Sequence, residues 1–156
     1  MARELWLLRH GDAEPGDDVP DHERRLTTRG ERQAVAAGRA LARRDLGFAL
    51  ALSSPRVRAR DTARLACREL GLEPVEHAPL SGGFDADEAL AVLGGQADDA
   101  RILLVGHEPD FSQVVHDLTG GRVDLKKGGV AAVKVRSGRG ELVVLMRPAE
   151  LEALSE

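Results

Sequence analysis

Short apolar runs alternate with helical stretches along this chain, and that alternation is what most restricts its fold. Glu4–Leu8 is a buried-type strand that ends at Arg9-His10-Gly11. Asp12 to Arg25 is rich in Asp, Pro and Gly and reads as a loop. A helix begins near Thr27 or Thr28. Thr28 with Glu31 has the form of a capping box, and Ala34, Ala37, Leu41 and Ala42 keep helical spacing up to Leu46-Gly47. Phe48–Leu52 predicts a second strand. Ser54-Pro55 predicts the N-cap and first residue of a helix that runs through Arg56 to Leu70 and stops at Gly71. Glu73–Ala78 reads as a short strand, and Asp85–Leu93 as a short helix closed by Gly94-Gly95. Arg101–Val105 is the clearest buried strand and ends at Gly106-His107. Asp110 or Ser112 is the candidate cap of the following helix, to about Leu118. Gly129–Val135 and Glu141–Met146 predict a hairpin across Ser137-Gly138-Arg139-Gly140, and Pro148 to Ser155 a final helical turn or two.

Such an order predicts an α/β three-layer sandwich. Right-handed crossovers give a mostly parallel central sheet, with helices on both faces and at least one antiparallel strand from the late hairpin. With 156 residues and no linker or repeat, residues 1–156 are expected to form a single domain. Aromatics are 3% of the chain and Tyr is absent, so the core has to be built from Ala, Leu and Val. A formal net charge of −4 argues against a nucleic-acid partner. No apolar run approaches the roughly 20 residues needed to span a bilayer, so no membrane partner is expected, and Met1–Leu8 is too short for a signal h-region. The lone Cys67 allows no internal disulfide and reads as an inert core residue, which fits a cytoplasmic location.

In open α/β sheets ligands sit beyond the carboxyl ends of the strands. Three polar segments follow predicted strands: Arg9-His10-Gly11; Ser53-Ser54-Pro55 with Arg56 and Arg58; and Gly106-His107-Glu108. A parallel sheet brings them to one edge. Two histidines, two or three arginines and a helix N-terminus suit a phosphoryl group. Arginine forks bind its oxygens, helix amides favour an anion, and an imidazole can attack phosphorus and hold it covalently. Nearby arginines are expected to depress the imidazole pKa and keep a nucleophilic histidine unprotonated. A metal at His10, Asp12 and His107 is disfavoured by the flanking Arg9. His22, His77 and His116 match no motif and are expected at the surface or half-buried. Most of the Arg56, Arg58, Arg60, Arg64 run is expected to be solvated, with Arg58 and Arg56 the two that reach phosphate. Lys126-Lys127 reads as a turn, or as a cationic rim for an acidic partner.

Leu8-Arg9-His10-Gly11 resembles the RHG signature of the histidine phosphatase superfamily, which includes the phosphoglycerate mutases. Leu26-Thr27-Thr28-Arg29-Gly30 with Gln33-Ala34 is similar to its LTxxGxxQA element. Ser54-Pro55-Arg56-Val57-Arg58-Ala59-Arg60-Asp61-Thr62-Ala63 is similar to SPxxRAxxTA, and Val105-Gly106-His107-Glu108-Pro109 to GHxP. The short length, the RHGDAE-like opening and Gly106-His107-Glu108-Pro109 resemble the SixA-like phosphohistidine phosphatases. The resemblance implies that His10 is a nucleophile that becomes phosphorylated. It implies that Arg9, Arg58 and His107 hold the phosphoryl oxygens, with Gly11 and Arg56 beside them, and that no metal or other cofactor takes part. The expected partner is a phosphohistidine-bearing protein or a small phosphorylated metabolite, and the expected state a monomer or weak dimer. Sugar or nucleotide monoesterase, non-catalytic phosphate-binding module and mutase are the other readings. Mutase-like relatives carry a glutamate acid that no motif locates here; Asp12, Asp85, Asp87 and Glu88 are the candidates. The segment from Gly71 to Ala100 is short, which predicts a shallow, open site.

Overall fold

The structure, a computed structural model, describes residues 2–156. Its strands are β1 (Arg3–Arg9), β2 (Leu50–Ser53), β3 (Val75–Glu76), β4 (Arg101–Gly106), β5 (Val130–Arg136) and β6 (Arg139–Met146). Its helices are α1 (Thr28–Arg43), α2 (Val57–Leu70), α3 (Ala86–Gly94), α4 (Asp110–Thr119) and α5 (Pro148–Leu154). The strands form one sheet in the order β3-β2-β4-β1-β5-β6. The first four run parallel, while β5 is antiparallel to β1 and β6 to β5.

Side chains of a strand alternate between faces, and the two faces here are both apolar. Leu5, Leu7, Ile102, Leu104, Ala131 and Val133 pack with Phe111, Val114 and Val115 of α4 and with Ala89 and Leu93 of α3. Trp6, Leu8, Leu103, Val105, Val130 and Ala132 face the other way, onto α1, α2 and Leu151 of α5. The chain is therefore a three-layer α/β sandwich. Alanines at Ala37, Ala40, Ala59, Ala63 and Ala66 let α1 and α2 approach the sheet closely. Cys67 is buried among them, and burial, with a contribution from Glu73, pushes its thiol up to about 12, where it is inert at neutral pH.

Several element ends differ from the sequence expectation, each for a local reason. Thr27, not Thr28, caps α1: its Oγ1 accepts from the Gly30 amide at 3.0 Å, and the helix ends at Arg43 rather than Leu46. Helix α2 starts at Val57 with Arg56 as N-cap, two residues later than Ser54-Pro55 implied: Arg56 is still extended, and the Ser54 hydroxyl accepts from the Arg56 amide at 3.2 Å, ahead of the helix. β2 spans Leu50–Ser53 rather than Phe48–Leu52, and β3 shrinks to two residues. Neither Asp110 nor Ser112 caps α4. Pro109 holds that position, the Asp110 carboxylate accepts from the Phe84 amide at 3.2 Å, and the Ser112 hydroxyl donates to Glu108. The 12–25 segment is tied at its base by an Ala13–Leu26 bridge and contains a 3₁₀ turn at Asp21–Glu23. No helix among the described residues is long and apolar enough to cross a membrane.

Candidate active site

Three strand ends meet at one edge, and the strand order sets who stands next to whom. β4 lies between β2 and β1, with Arg9 opposite Gly106 and Ser53 opposite Val105. The pairing continues past the strands: the His10 amide donates to Gly106 O at 3.1 Å, and the Ser54 amide to Val105 O at 3.0 Å. His107, just after β4, therefore sits between Ser54 and His10. The two imidazole centroids are 5.3 Å apart.

His10 is 5% exposed and its Nδ1 lies 2.7 Å from Gly11 O. A carbonyl only accepts, so Nδ1 carries the proton and Nε2 keeps its lone pair. Burial pushes the His10 pKa down to about 4, against the pull of the Gly11 carbonyl; the charges of Arg58, Arg9 and Lys127 push the same way as burial. The arginines expected to depress this pKa are therefore the minor contributors. Desolvation is the larger cause, and the imidazole is neutral at pH 7 either way. His107 is 7% exposed, with Nε2 2.8 Å from Ser54 Oγ. Burial, then His10, Arg58 and Arg56, pushes its pKa to about 3.

Three arginines stand near this pair, and the charges of Arg9 and Arg58 act on His10. Arg9 Nη1 donates to Leu125 O at 2.9 Å. Arg58 Nη1 donates to Asp21 O at 2.8 Å and Nη2 to Asp21 Oδ2 at 3.1 Å. Arg9 Nε, Arg58 Nε and His107 Nδ1 are buried with no hydrogen-bond partner. An unpaired buried donor costs about 1–3 kcal/mol, so the two guanidinium Nε–H groups beside a neutral histidine suit an anion with several oxygens. Arg56 stands at the rim, its Nε donating to Ser81 O at 2.7 Å and its Nη1 to Asp21.

The loop that carries His10 is held by motif residues with no individual role in the sequence-based expectation. The Gly11 amide donates to Thr62 Oγ1 at 3.0 Å, and Thr62 donates in turn to Arg58 O at 2.7 Å. Gln33 Oε1 accepts from the Asp12 amide at 2.8 Å. Gly30 presses directly on Asp12: a Cβ there would run into the Asp12 carbonyl. Thr62, Gln33 and Gly30 all lie in quoted motif elements, so the signal was present.

Asp21 had no sequence signal. Its carboxylate pairs with Arg56, Arg58 and Arg24 from across the site. Slight burial pushes its pKa up, but the hydrogen bond and charge of Arg58, then Arg24, outweigh this and hold it below the usual carboxylate range. The 12–25 segment thus reaches the site's arginines through Asp21. Among the acid candidates, Asp12 Oδ2 accepts from Thr27 at 2.8 Å and Asp85 is spent capping α3. Asp87 is exposed, and Glu88 has one buried, unpartnered carboxylate oxygen. None of the four is hydrogen-bonded to His10 or His107 among the described residues. His22 and His116 are exposed and His77 half-buried.

Comparison with known proteins agrees with this layout. Residues 5–81 match the model of the histidine phosphatase superfamily, branch 1. An uncharacterized protein of Picosynechococcus is 37% identical over 143 residues, 86% of each chain. The solved protein histidine phosphatase SixA, complexed with tungstate, superposes with a TM-score of 0.86 at 26% identity, covering 95% of this chain and 99% of that one. A phosphoserine phosphatase variant from Entamoeba histolytica, in complex with phosphoserine, shares the fold at 18% identity and a TM-score of 0.76, over 96% and 99% of the two chains. Motif order, strand-end geometry and these matches lead to one conclusion: the chain belongs to the histidine phosphatase superfamily, as a phosphatase of its SixA-like branch.

Proposed function

We propose that this phosphatase hydrolyses phosphohistidine on a protein through a phospho-His10 intermediate, without a metal. The observation that carries the reading is the state of His10: neutral, with Nδ1 committed to Gly11 O and Nε2 free beside Arg9 and Arg58. Nε2 attacks phosphorus, and the substrate P–N bond breaks with its electron pair passing to the departing ring. When that ring is protonated on its other nitrogen, as a phosphoimidazolium, it leaves as neutral imidazole, and no general acid from the protein is required. Water then attacks phospho-His10, the bond to Nε2 breaks, inorganic phosphate leaves and a proton passes to solvent. Arg9, Arg58 and His107 stabilise the phosphoryl oxygens at both steps. Arg56 neutralises charge from the rim. The similarity to a protein histidine phosphatase over nearly the whole chain supports the phosphohistidine reading.

A second reading, a small phosphomonoester as substrate, is favoured by the shared fold of a phosphoserine phosphatase; an alkoxide leaving group needs a proton, and Glu88, with one buried, unpartnered carboxylate oxygen, is the acid to test. Parallel turnover of a phosphohistidine-bearing protein and a panel of phosphomonoesters decides between them, with His10→Ala as control. Release from phosphohistidine that far exceeds every monoester, and is lost in the control, is the expected result. A monoester preference that is lost in Glu88→Gln would replace the first reading with the second.

A further inference from the structure

Proton bookkeeping around Ser54 leaves one arrangement. Ser54 is 0% exposed, and two groups reach its Oγ: the Arg56 amide at 3.2 Å and His107 Nε2 at 2.8 Å. A hydroxyl has one proton and lone pairs for two donors. The Arg56 N–H donates to it. Were Nε2 protonated as well, Ser54 would receive two donors while its own proton lay buried with no acceptor among the described residues. That arrangement costs an unpaired buried donor. With the Ser54 proton given to Nε2, every group at this junction is paired. His107 is neutral, so its single ring proton then resides on Nδ1, the nitrogen that is buried and unpartnered.

The Ser54 hydroxyl is itself fixed in place. The Ser54 amide is bonded to Val105 O on β4, and its carbonyl accepts from Ser53 Oγ at 2.8 Å. β4 delivers His107 from the same strand end. The two partners are therefore registered by the sheet, not by flexible loops.

We infer that Ser54 is a positioning residue that sets the tautomer of His107, so that Nδ1 meets a phosphoryl oxygen as an N–H donor. In the opposite tautomer Nδ1 would present a lone pair to an anionic oxygen and repel it. The inference rests on the phosphoryl-binding reading for its purpose, but its core is a statement about one ring proton.

The test is long-range ¹H–¹⁵N correlation spectroscopy on histidine-labelled, ligand-free protein at pH 7. The expected spectrum shows His107 protonated at Nδ1 and bare at Nε2. Ser54→Ala should move the ring to the Nε2–H tautomer or a mixture, and Ser54→Thr, which keeps the hydroxyl, should restore the native pattern. Inorganic phosphate, titrated by calorimetry, should bind Ser54→Ala about 10–100-fold more weakly, the worth of a hydrogen bond to a charged group. An Nε2–H tautomer in the unmodified protein would overturn the inference, whatever the variants do. So would an unchanged tautomer in a folded Ser54→Ala. The spectra need no substrate, so failure to turn over phosphohistidine would sink the proposed function and leave this result standing.

Discussion

Two neutral, buried histidines make the stability of this protein sensitive to acid, and the size of the effect follows from His10. Its folded pKa lies at about 4 against an ordinary 6.5, with burial as the leading cause. A depressed histidine pKa contributes stability that is complete above the unfolded value. That contribution is lost as pH falls from about 6.5 toward 4, where the unfolded chain binds a proton that the folded chain refuses. At pH 4.5 the loss from His10 is about 2.5 kcal/mol relative to pH 8. His107 acts in the same direction. His10→Asn removes the titration while an amide N–H stands in for Nδ1 toward Gly11 O. Urea unfolding followed by the single, buried Trp6 measures both proteins from pH 4.5 to 8. The variant's stability curve should fall less steeply with acid, the two curves converging by about 2–3 kcal/mol at pH 4.5. Parallel curves would refute the claim that His10 is held neutral by its surroundings.

Three further outcomes follow from named contacts. Arg58→Ala should lower kcat/KM by about 10²–10³-fold, the worth of one preorganised oxyanion donor; full activity would remove Arg58 from the phosphoryl site. Gly106→Ala should destabilise the fold by about 1–3 kcal/mol, because its Cβ would stand 2.7 Å from the Phe111 ring. Phe111→Leu in the same chain should recover part of that loss, as read by urea midpoints. Asp21→Asn should tighten inorganic phosphate several-fold, since Asp21 neutralises Arg58 and Arg56; weaker binding by calorimetry would mean that Asp21 holds Arg58 in place instead.

What the sequence disclosed was what close contact enforces. Strands β1, β2 and β4 are buried on both faces and so read as apolar runs, and their ends carry His10, Ser54 and His107. Gly30 and Gln33 recur in a motif because one abuts Asp12 and the other holds its amide. Other features leave no local pattern. Asp21 reaches Arg58 across 37 positions from a segment with no periodicity. Ser54-Pro55 looks like a helix start, and only the sheet register shows the hydroxyl turned to His107. The leading cause of the low His10 pKa leaves no local pattern for the same reason: charges are visible in a sequence, whereas burial arises only when three layers close over a strand end.

A rapid-quench experiment tests the account most directly. Enzyme mixed with a ³²P-phosphohistidine protein is stopped in alkali, which preserves phosphohistidine, and its peptides are analysed by mass spectrometry. The account predicts a phosphoryl group on His10 that forms and decays at the rate of turnover, and neither adduct nor turnover in His10→Ala. Turnover that persists in His10→Ala, or an adduct on any other residue, would contradict it.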